Sequence, residues 1–311
     1  MSMRWLIPVL LAAALAGSGA GSARAQIALP GLPGGLPTGL PDRLPVDPDR
    51  LQDDLRARAD RALQAPARLR DLVRRSGGAL EADPLGWPVV RGEIVAMDLS
   101  PAGREAALAA GFTVVREERL DDLDLAVVVL APPRRLSLPR ALARLQALDP
   151  GGEYAFNHVH APAGAIGPAA PAPPAAALAP AGPPRPSGPR LGLIDAGVDA
   201  AHPALAGASI RQRGFAGPVR PAPHGTAVAS LLVGRAGAFA GAAPGAALFA
   251  ADVYGGSPAG GSSTAVAQAL AWLAGSGVPV INVSLVGPRN ALVEAAVRRV
   301  RARGVIVVAA V

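Results

Sequence analysis

Leu191-Gly192-Leu193-Ile194-Asp195-Ala196-Gly197-Val198 is a short apolar run that ends on a carboxylate and a glycine. A branched apolar run of this length fits a buried strand, and a carboxylate at its carboxyl end stands where open α/β sheets assemble their sites. The residues that follow alternate between strand-like and helix-like stretches: Leu191 to Ile194, Thr226 to Leu232, Ala247 to Val253, Thr264 to Leu273, Val280 to Val283, Ala291 to Arg301 and Val305 to Ala309. This alternation predicts an α/β region over residues 190–311, with a parallel sheet and helices on its faces.

Two further stretches carry chemistry. In Pro223-His224-Gly225-Thr226-Ala227-Val228-Ala229-Ser230 a histidine opens a helix of small residues, which can pack close to a sheet. In Val280-Ile281-Asn282-Val283-Ser284-Leu285-Val286-Gly287-Pro288 a buried strand runs into a polar, glycine-containing edge, a type of edge that takes a peptide by strand addition. A lone aspartate after a strand, or a lone histidine at a helix start, is more often structural than catalytic. The three segments in this order are far more specific.

In that order they resemble the aspartate, histidine and substrate-binding motifs of the subtilisin-like serine proteases, peptidase family S8. Gly241-Ala242-Ala243-Pro244 and Gly304-Val305-Ile306-Val307-Val308-Ala309-Ala310 resemble intervening landmarks of the same family, so the likeness covers Leu191 to Val311. The chain order Asp, His, Ser is a known template for this triad. The resemblance implies that Asp195 orients the imidazole of His224, that His224 acts as general base toward a serine hydroxyl, and that Ser284, Leu285, Val286 and Gly287 hold substrate backbone. It also implies a secreted endopeptidase acting on protein or peptide substrates. No cofactor is implied; calcium is an expectation from the family alone, with no readable site, and His158 and His160 lack metal-ligand spacing.

The nucleophile is expected in a Gly-Thr-Ser-Met-Ala-type turn, and none occurs before Val311. Gly261-Ser262-Ser263-Thr264 is the nearest lookalike, but it stands at a helix start and reads as a cap. The Gly-Asn whose side chain supplies an oxyanion donor is expected just past the last residue, a contribution of about 3 kcal/mol. The sheet is therefore expected to be incomplete, with its serine beyond the chain. The alternative expectation is a truncated, inactive pseudoprotease that binds or regulates, although an unfinished sheet edge invites aggregation. Reading the coding DNA past Val311 separates the two. Three positions depart from the family: Ala196 stands for a usual Thr or Ser, Ala227 for a common His, and Val286 for a common Gly beside the primary specificity pocket.

Upstream, Glu93 to Met97 reads as a strand, Ser100 and Pro101 open a helix to about Ala110, and strands follow at Phe112 to Arg116 and Leu125 to Leu130. A helix from about Pro139 to Leu148 and a strand from Tyr154 to Val159 complete a β-α-β-β-α-β order over residues 91–160, the ferredoxin-like arrangement. By resemblance this α+β block is a propeptide, an intramolecular partner that assists folding and blocks the cleft. Its sheet should then face the helices of the second block, with the Tyr154 to His160 end directed toward Ser284 and Leu285. The Ala/Pro-rich stretch 161–189 reads as a linker between the two.

The remaining segments bound the class. Arg4, an apolar run from Trp5 to about Ala16 and Ala23-Arg24-Ala25 read as a cleaved signal peptide over 1–25. The run is shorter than the roughly 20 residues that span a bilayer, so membrane contact is expected only in transit, toward a secreted or periplasmic location. Residues 26–50 read as a Pro/Gly-rich linker and 51–80 as helical. Cysteine is absent, so the folded state rests on its core, and hydrophobic residues are half of the 311. The formal charge is +7, yet the arginines are scattered among acids and aromatics are only 3%, which argues against a nucleic-acid partner.

Overall fold

The computed structural model describes residues 69–163 and 188–309. The signal and linker readings at 1–25 and 26–50 lie outside the described residues, as do most of the 161–189 linker and the first part of the helical reading at 51–80. Within the latter, residues 69–75 are helical and Leu80 already begins a strand.

The first block contains β1 (Leu80–Ala82), β2 (Pro88–Met97), α1 (Pro101–Ala109), β3 (Thr113–Leu120), β4 (Leu125–Ala131), α2 (Leu138–Leu148) and β5 (Glu153–His158). The four long strands form an antiparallel sheet in the order β5-β2-β4-β3, and β1 pairs with the start of β2. The helix starts follow from local chemistry: Ser100 Oγ accepts the Gly103 N–H at 3.0 Å, with Pro101 in the first turn. The sequence places the start of β2 at Glu93, whereas the strand begins at Pro88. Gly92, at φ +68°, and a register shift between Val89 and Ile94 break the alternation by which the strand would be recognised. The strand at Phe112 to Arg116 runs on as β3 to Leu120. Its Glu117, Glu118 and Arg119 are exposed on an edge strand, where charge discourages further pairing.

The second block holds β7 (Arg190–Asp195), β8 (Ser209–Gly214), α3 (Pro223–Val233), the small hairpin β9 (Arg235–Ala236) and β10 (Phe239–Ala240), β11 (Ala247–Asp252), α4 (Ser263–Gly275), β12 (Val280–Val283), β13 (Leu285–Val286), α5 (Ala291–Ala302) and β14 (Ile306–Ala309). Five of these strands form a parallel sheet in the order β14-β12-β7-β11-β8. Successive side chains of a strand point to opposite faces. Leu193, Leu248 and Ala250 accordingly pack with Ala229 and Val233 of α3, while Ile194, Phe249 and Ala251 pack on the other side with Leu270 of α4 and Ala296 of α5. Coverage of both faces explains why β7 and β11 read as continuous apolar runs. Among the described residues no helix is long and apolar enough to cross a membrane.

The same alternation joins the two blocks. On β2, Ile94 and Ala96 face the block's own helices with Ala107 and Leu145, whereas Val95 and Met97 face the opposite way. There, with Val127, Val129 and Ala155, they share one core with α4 and α5. The first sheet is thus buried on both faces, by its own helices and by those of the second block. Asn157 and Asn290 fasten the seam. Asn157 Oδ1 accepts the Thr264 N–H at 3.2 Å and its amide donates to Glu93 at 2.7 Å. Asn290 Oδ1 accepts the N–H groups of Leu292 and Val293, capping α5, while Nδ2 donates to the Phe156 carbonyl at 2.9 Å and meets His158 Nδ1 at 3.0 Å.

Asn290 is 4% exposed, so truncating it strands buried partners on both blocks. Asn290→Ala is expected to cost about 2 kcal/mol in a denaturant titration. Asn290→Asp, which keeps the cap oxygens and loses the donation to Phe156, should fall between it and the wild type. A loss under a few tenths of a kcal/mol for both variants would contradict the role given to this side chain.

Candidate active site

Asp195 closes β7 and has no exposed surface. Its Oδ1 accepts the Ala196 N–H at 2.6 Å, and its two oxygens lie 2.8 and 2.9 Å from His224 Nδ1. Burial is the main influence on this carboxyl and pushes its pKa up, opposed by the His224 and Ala196 hydrogen bonds, while the neighbouring Asp252 adds to the rise. His224 sits in the first turn of α3, and Gly225 is what lets that turn approach: a Cβ there would overlap the carbonyl oxygen of Ala196. Thr226 then ties the turn to the loop after β7, donating to the Ala222 carbonyl and accepting the Asp199 N–H, both at 2.9 Å. The order His-Gly-Thr in the sequence is therefore one ring, one gap and one clamp.

Ser284 to Gly287 form the edge beside this pair, and the edge is already occupied. Ala161–Pro162, at the start of the stretch read as a linker, is a strand, β6, antiparallel to β13 with Leu285 opposite Pro162 and Val286 opposite Ala161. The Ala163 N–H donates to the Ser284 carbonyl at 2.8 Å. On its other side the segment pairs through Val159 with Ser262, and the His160 N–H donates to the Gly261 carbonyl at 2.8 Å. Val159 to Ala163 thus runs as a strap between two edges of the second block. It delivers the Ala163 carbonyl oxygen to His224 Nε2 as a hydrogen-bond partner. That nitrogen is the one left free by Asp195, so the strap ends on the outward side of the ring.

Residues that the sequence reading did not single out complete the site. Asp252, in register with Asp195 at the end of β11, accepts the N–H groups of Tyr254 and Gly255 at 2.9 Å and of Arg220 at 2.8 Å. It thereby ties the loop after its own strand to the loop that carries Arg220. Its signal was present, since it too ends an apolar strand, but no motif drew attention to it. Ser262 behaves as read: its Oγ accepts the Ala265 N–H as the cap of α4. His202 accepts the Ala204 N–H beside Pro203 and is not part of the pair. His158 and His160 lie in the seam and the strap. Among the described residues no group of three or more His, Cys, Asp or Glu side chains is placed to hold a metal ion, so no calcium site is drawn from them.

The class of protein follows first from the fold and the pair: an α/β domain with a buried carboxylate and its histidine at the carboxyl edge of a parallel sheet. Residues 187–311 match the model of the subtilase family. Among solved structures the chain is similar to fervidolysin of Fervidobacterium pennivorans, a keratinolytic enzyme related to subtilisin, at 16% identity and a TM-score of 0.49 over 71% of this chain and 40% of that one. It is also similar to the epidermin leader peptide processing serine protease of Staphylococcus aureus, at 12% identity and a TM-score of 0.44 over 70% of this chain and 59% of that one. A third similarity is to the patellamide maturation protease PatA, at 26% identity and a TM-score of 0.34 over 39% of this chain and 47% of that one. The chain thus spans 40 to 59% of these three proteins. No curated protein matches it.

The strap makes docking depend on pH. Burial pushes His160 down to about 4, against the carbonyls of Gly261 and Pro288 that favour its charge, with His158 adding to the fall. Burial also lowers His158, against its contact with Asp83. For a histidine with a depressed folded pKa, stability is complete above the ordinary value near 6.5 and is lost as pH falls below it, because the unfolded chain protonates first. The His160 part of this loss should be on the order of 3 kcal/mol between pH 7.5 and 4. Asp195, with its raised pKa, works in the opposite sense, so the informative quantity is the difference between wild type and His160→Gln in urea titrations at the two pH values. Equal pH dependence in both proteins would contradict the burial of a neutral ring.

Proposed function

We propose that this protein is a secreted serine endopeptidase of subtilisin type, in which Asp195 orients His224 and His224 takes the proton of a serine hydroxyl supplied by residues beyond Val311. In this reading the serine oxygen attacks the substrate carbonyl, the proton passes through His224 to the leaving amine, and water then releases the acyl group by the same route. Asp195 keeps the proton of the neutral ring on Nδ1 and offsets the positive charge that His224 acquires. Ser284 to Gly287 align the peptide by strand pairing, and export through the segment 1–25 delivers the enzyme to a secreted or periplasmic location.

The observation that carries this reading is the Ala163 carbonyl at His224 Nε2, at the end of a strap paired with Ser284 to Val286. The first block then acts as a propeptide: it docks on α4 and α5, supports the slow assembly of a parallel sheet, and fills the cleft with its own exit strand. The peptide bond between Ala163 and Gly164 is the one presented for cleavage, and after cleavage the strap remains as a product-like inhibitor.

The test is the mass of the full-length gene product after expression. A cut between Ala163 and Gly164 is expected in the wild type and absent in His224→Ala, since loss of a triad member lowers turnover by about four to six orders of magnitude in the template enzyme. A cut at the same bond in His224→Ala would contradict the reading, as would an uncut wild type that hydrolyses no added peptide.

A further inference from the structure

A second buried carboxylate stands beside the first. Asp252 is 1% exposed and ends β11 in register with Asp195 at the end of β7. Side chains in register on parallel strands share a face of the sheet, and two residues earlier on the same strands Leu193 and Ala250 pack with α3. Both carboxylates therefore lie on the α3 face. Like charges so placed oppose each other, and burial adds to the cost unless donors offset it.

The donors to Asp252 are all backbone groups. Oδ1 accepts the N–H groups of Tyr254 and Gly255, and Oδ2 accepts that of Arg220. Both oxygens are thus engaged, which an amide of the same shape cannot reproduce: whichever way it is turned, its NH2 meets an N–H. The surroundings select a carboxylate.

The Arg220 contact bears on the start of α3. From Arg220 the chain passes only Pro221, Ala222 and Pro223 before His224. Pro221 forms a parallel bridge with Gly197, and the Ala222 N–H donates to the Gly197 carbonyl at 2.9 Å. A Cβ at Gly197 would overlap the Arg220 carbonyl oxygen and press on Asp252 Oδ2. The segment is therefore held between the loop that follows Asp195 and the carboxylate that ends β11.

We propose that Asp252 is a positioning residue for the Asp195–His224 pair: through the Arg220 N–H it sets where α3 begins, and with it the approach of His224 Nδ1 to Asp195. The inference rests on the reading of that pair as catalytic and adds a residue to its support. The other oxygen of Asp252 serves the loop of Tyr254, whose hydroxyl donates to the strap at the His160 carbonyl.

Asp252→Asn separates the two oxygens. The amide keeps two of the three donors by leaving its oxygen on Tyr254 and Gly255, and it turns its NH2 on Arg220, so the fault falls on the α3 side. In proton NMR of the full chain, the Hδ1 proton between His224 and Asp195 should resonate far downfield in the wild type. In Asp252→Asn it should move upfield or broaden away, while slow exchange of the Leu193 amide reports an intact sheet. In the full-length gene product kcat for peptide hydrolysis should fall about tenfold or more with KM unchanged. Arg220→Pro, which removes the N–H and leaves the carboxylate, should show the same two effects relative to Arg220→Ala, and it decides the matter if Asp252→Asn does not fold. An unchanged Hδ1 resonance in the folded variant, or a rise in KM at constant kcat, would overturn the assignment. A wild type without that resonance would contradict the pair itself and the proposal with it. The resonance needs no serine, so a gene product that cleaves no peptide would sink the protease reading and leave the positioning role to be decided by the spectrum.

Discussion

A carboxylate with no exposed surface has to be compensated where it stands, and the arrangement around Asp195 is that compensation. One backbone N–H and one imidazole N–H are aimed at it, and burial still holds its pKa above the ordinary carboxylate range. The imidazole can reach it only because α3 begins against the end of β7, with Gly225 at the point of contact. That approach fixes the helix, the loop held by Thr226, and the outward direction of Nε2. The cost of burying one charge is thus linked to the placement of a nitrogen that faces a peptide carbonyl.

The first block meets this site through the periodicity of its strands. A sheet whose inner and outer residues are both apolar has to find cover on both sides, and the second cover is α4 and α5 of the other block. Docking by that face puts the exit of β5 beside the cleft, and the strap needs only five residues, Val159 to Ala163, to cross it. Asn157 and Asn290 make the docking directional, since each satisfies the start of a helix in one block and a polar atom of the other. Hydrophobic burial supplies most of the attraction here, and the two amides set the register.

Much of this was legible in the sequence. The parallel sheet could be read from strand-length apolar runs, and Asp195 and His224 from their motifs, because both depend on local patterns. The β-α-β-β-α-β order was legible for the same reason, and the strands missed their ends only where Gly92 broke the alternation or where β3 turned polar on an open edge. The strap was not legible. Ala161-Pro162-Ala163 opens a stretch whose composition is that of a linker, and its strand character comes entirely from the edges it meets at Ser284 to Val286 and at Gly261. Asp252, Tyr254 and Asn290 were missed likewise, since what marks them is their contact with Arg220, His160 and Phe156, each distant in the chain. The burial of His160 depends on Gly287 against its ring and on the Gly261 carbonyl, which no periodicity reveals.

The central proposal is that His224 acts as general base in the cleavage of a peptide bound along Ser284 to Val286. Hydrolysis of a peptide containing Val-His-Ala-Pro-Ala by the full-length gene product, compared with His224→Ala at pH 7.5, tests it most directly. The account predicts cleavage after the second alanine in the wild type and a loss of about four orders of magnitude or more in the variant. Equal rates in the two proteins would contradict it.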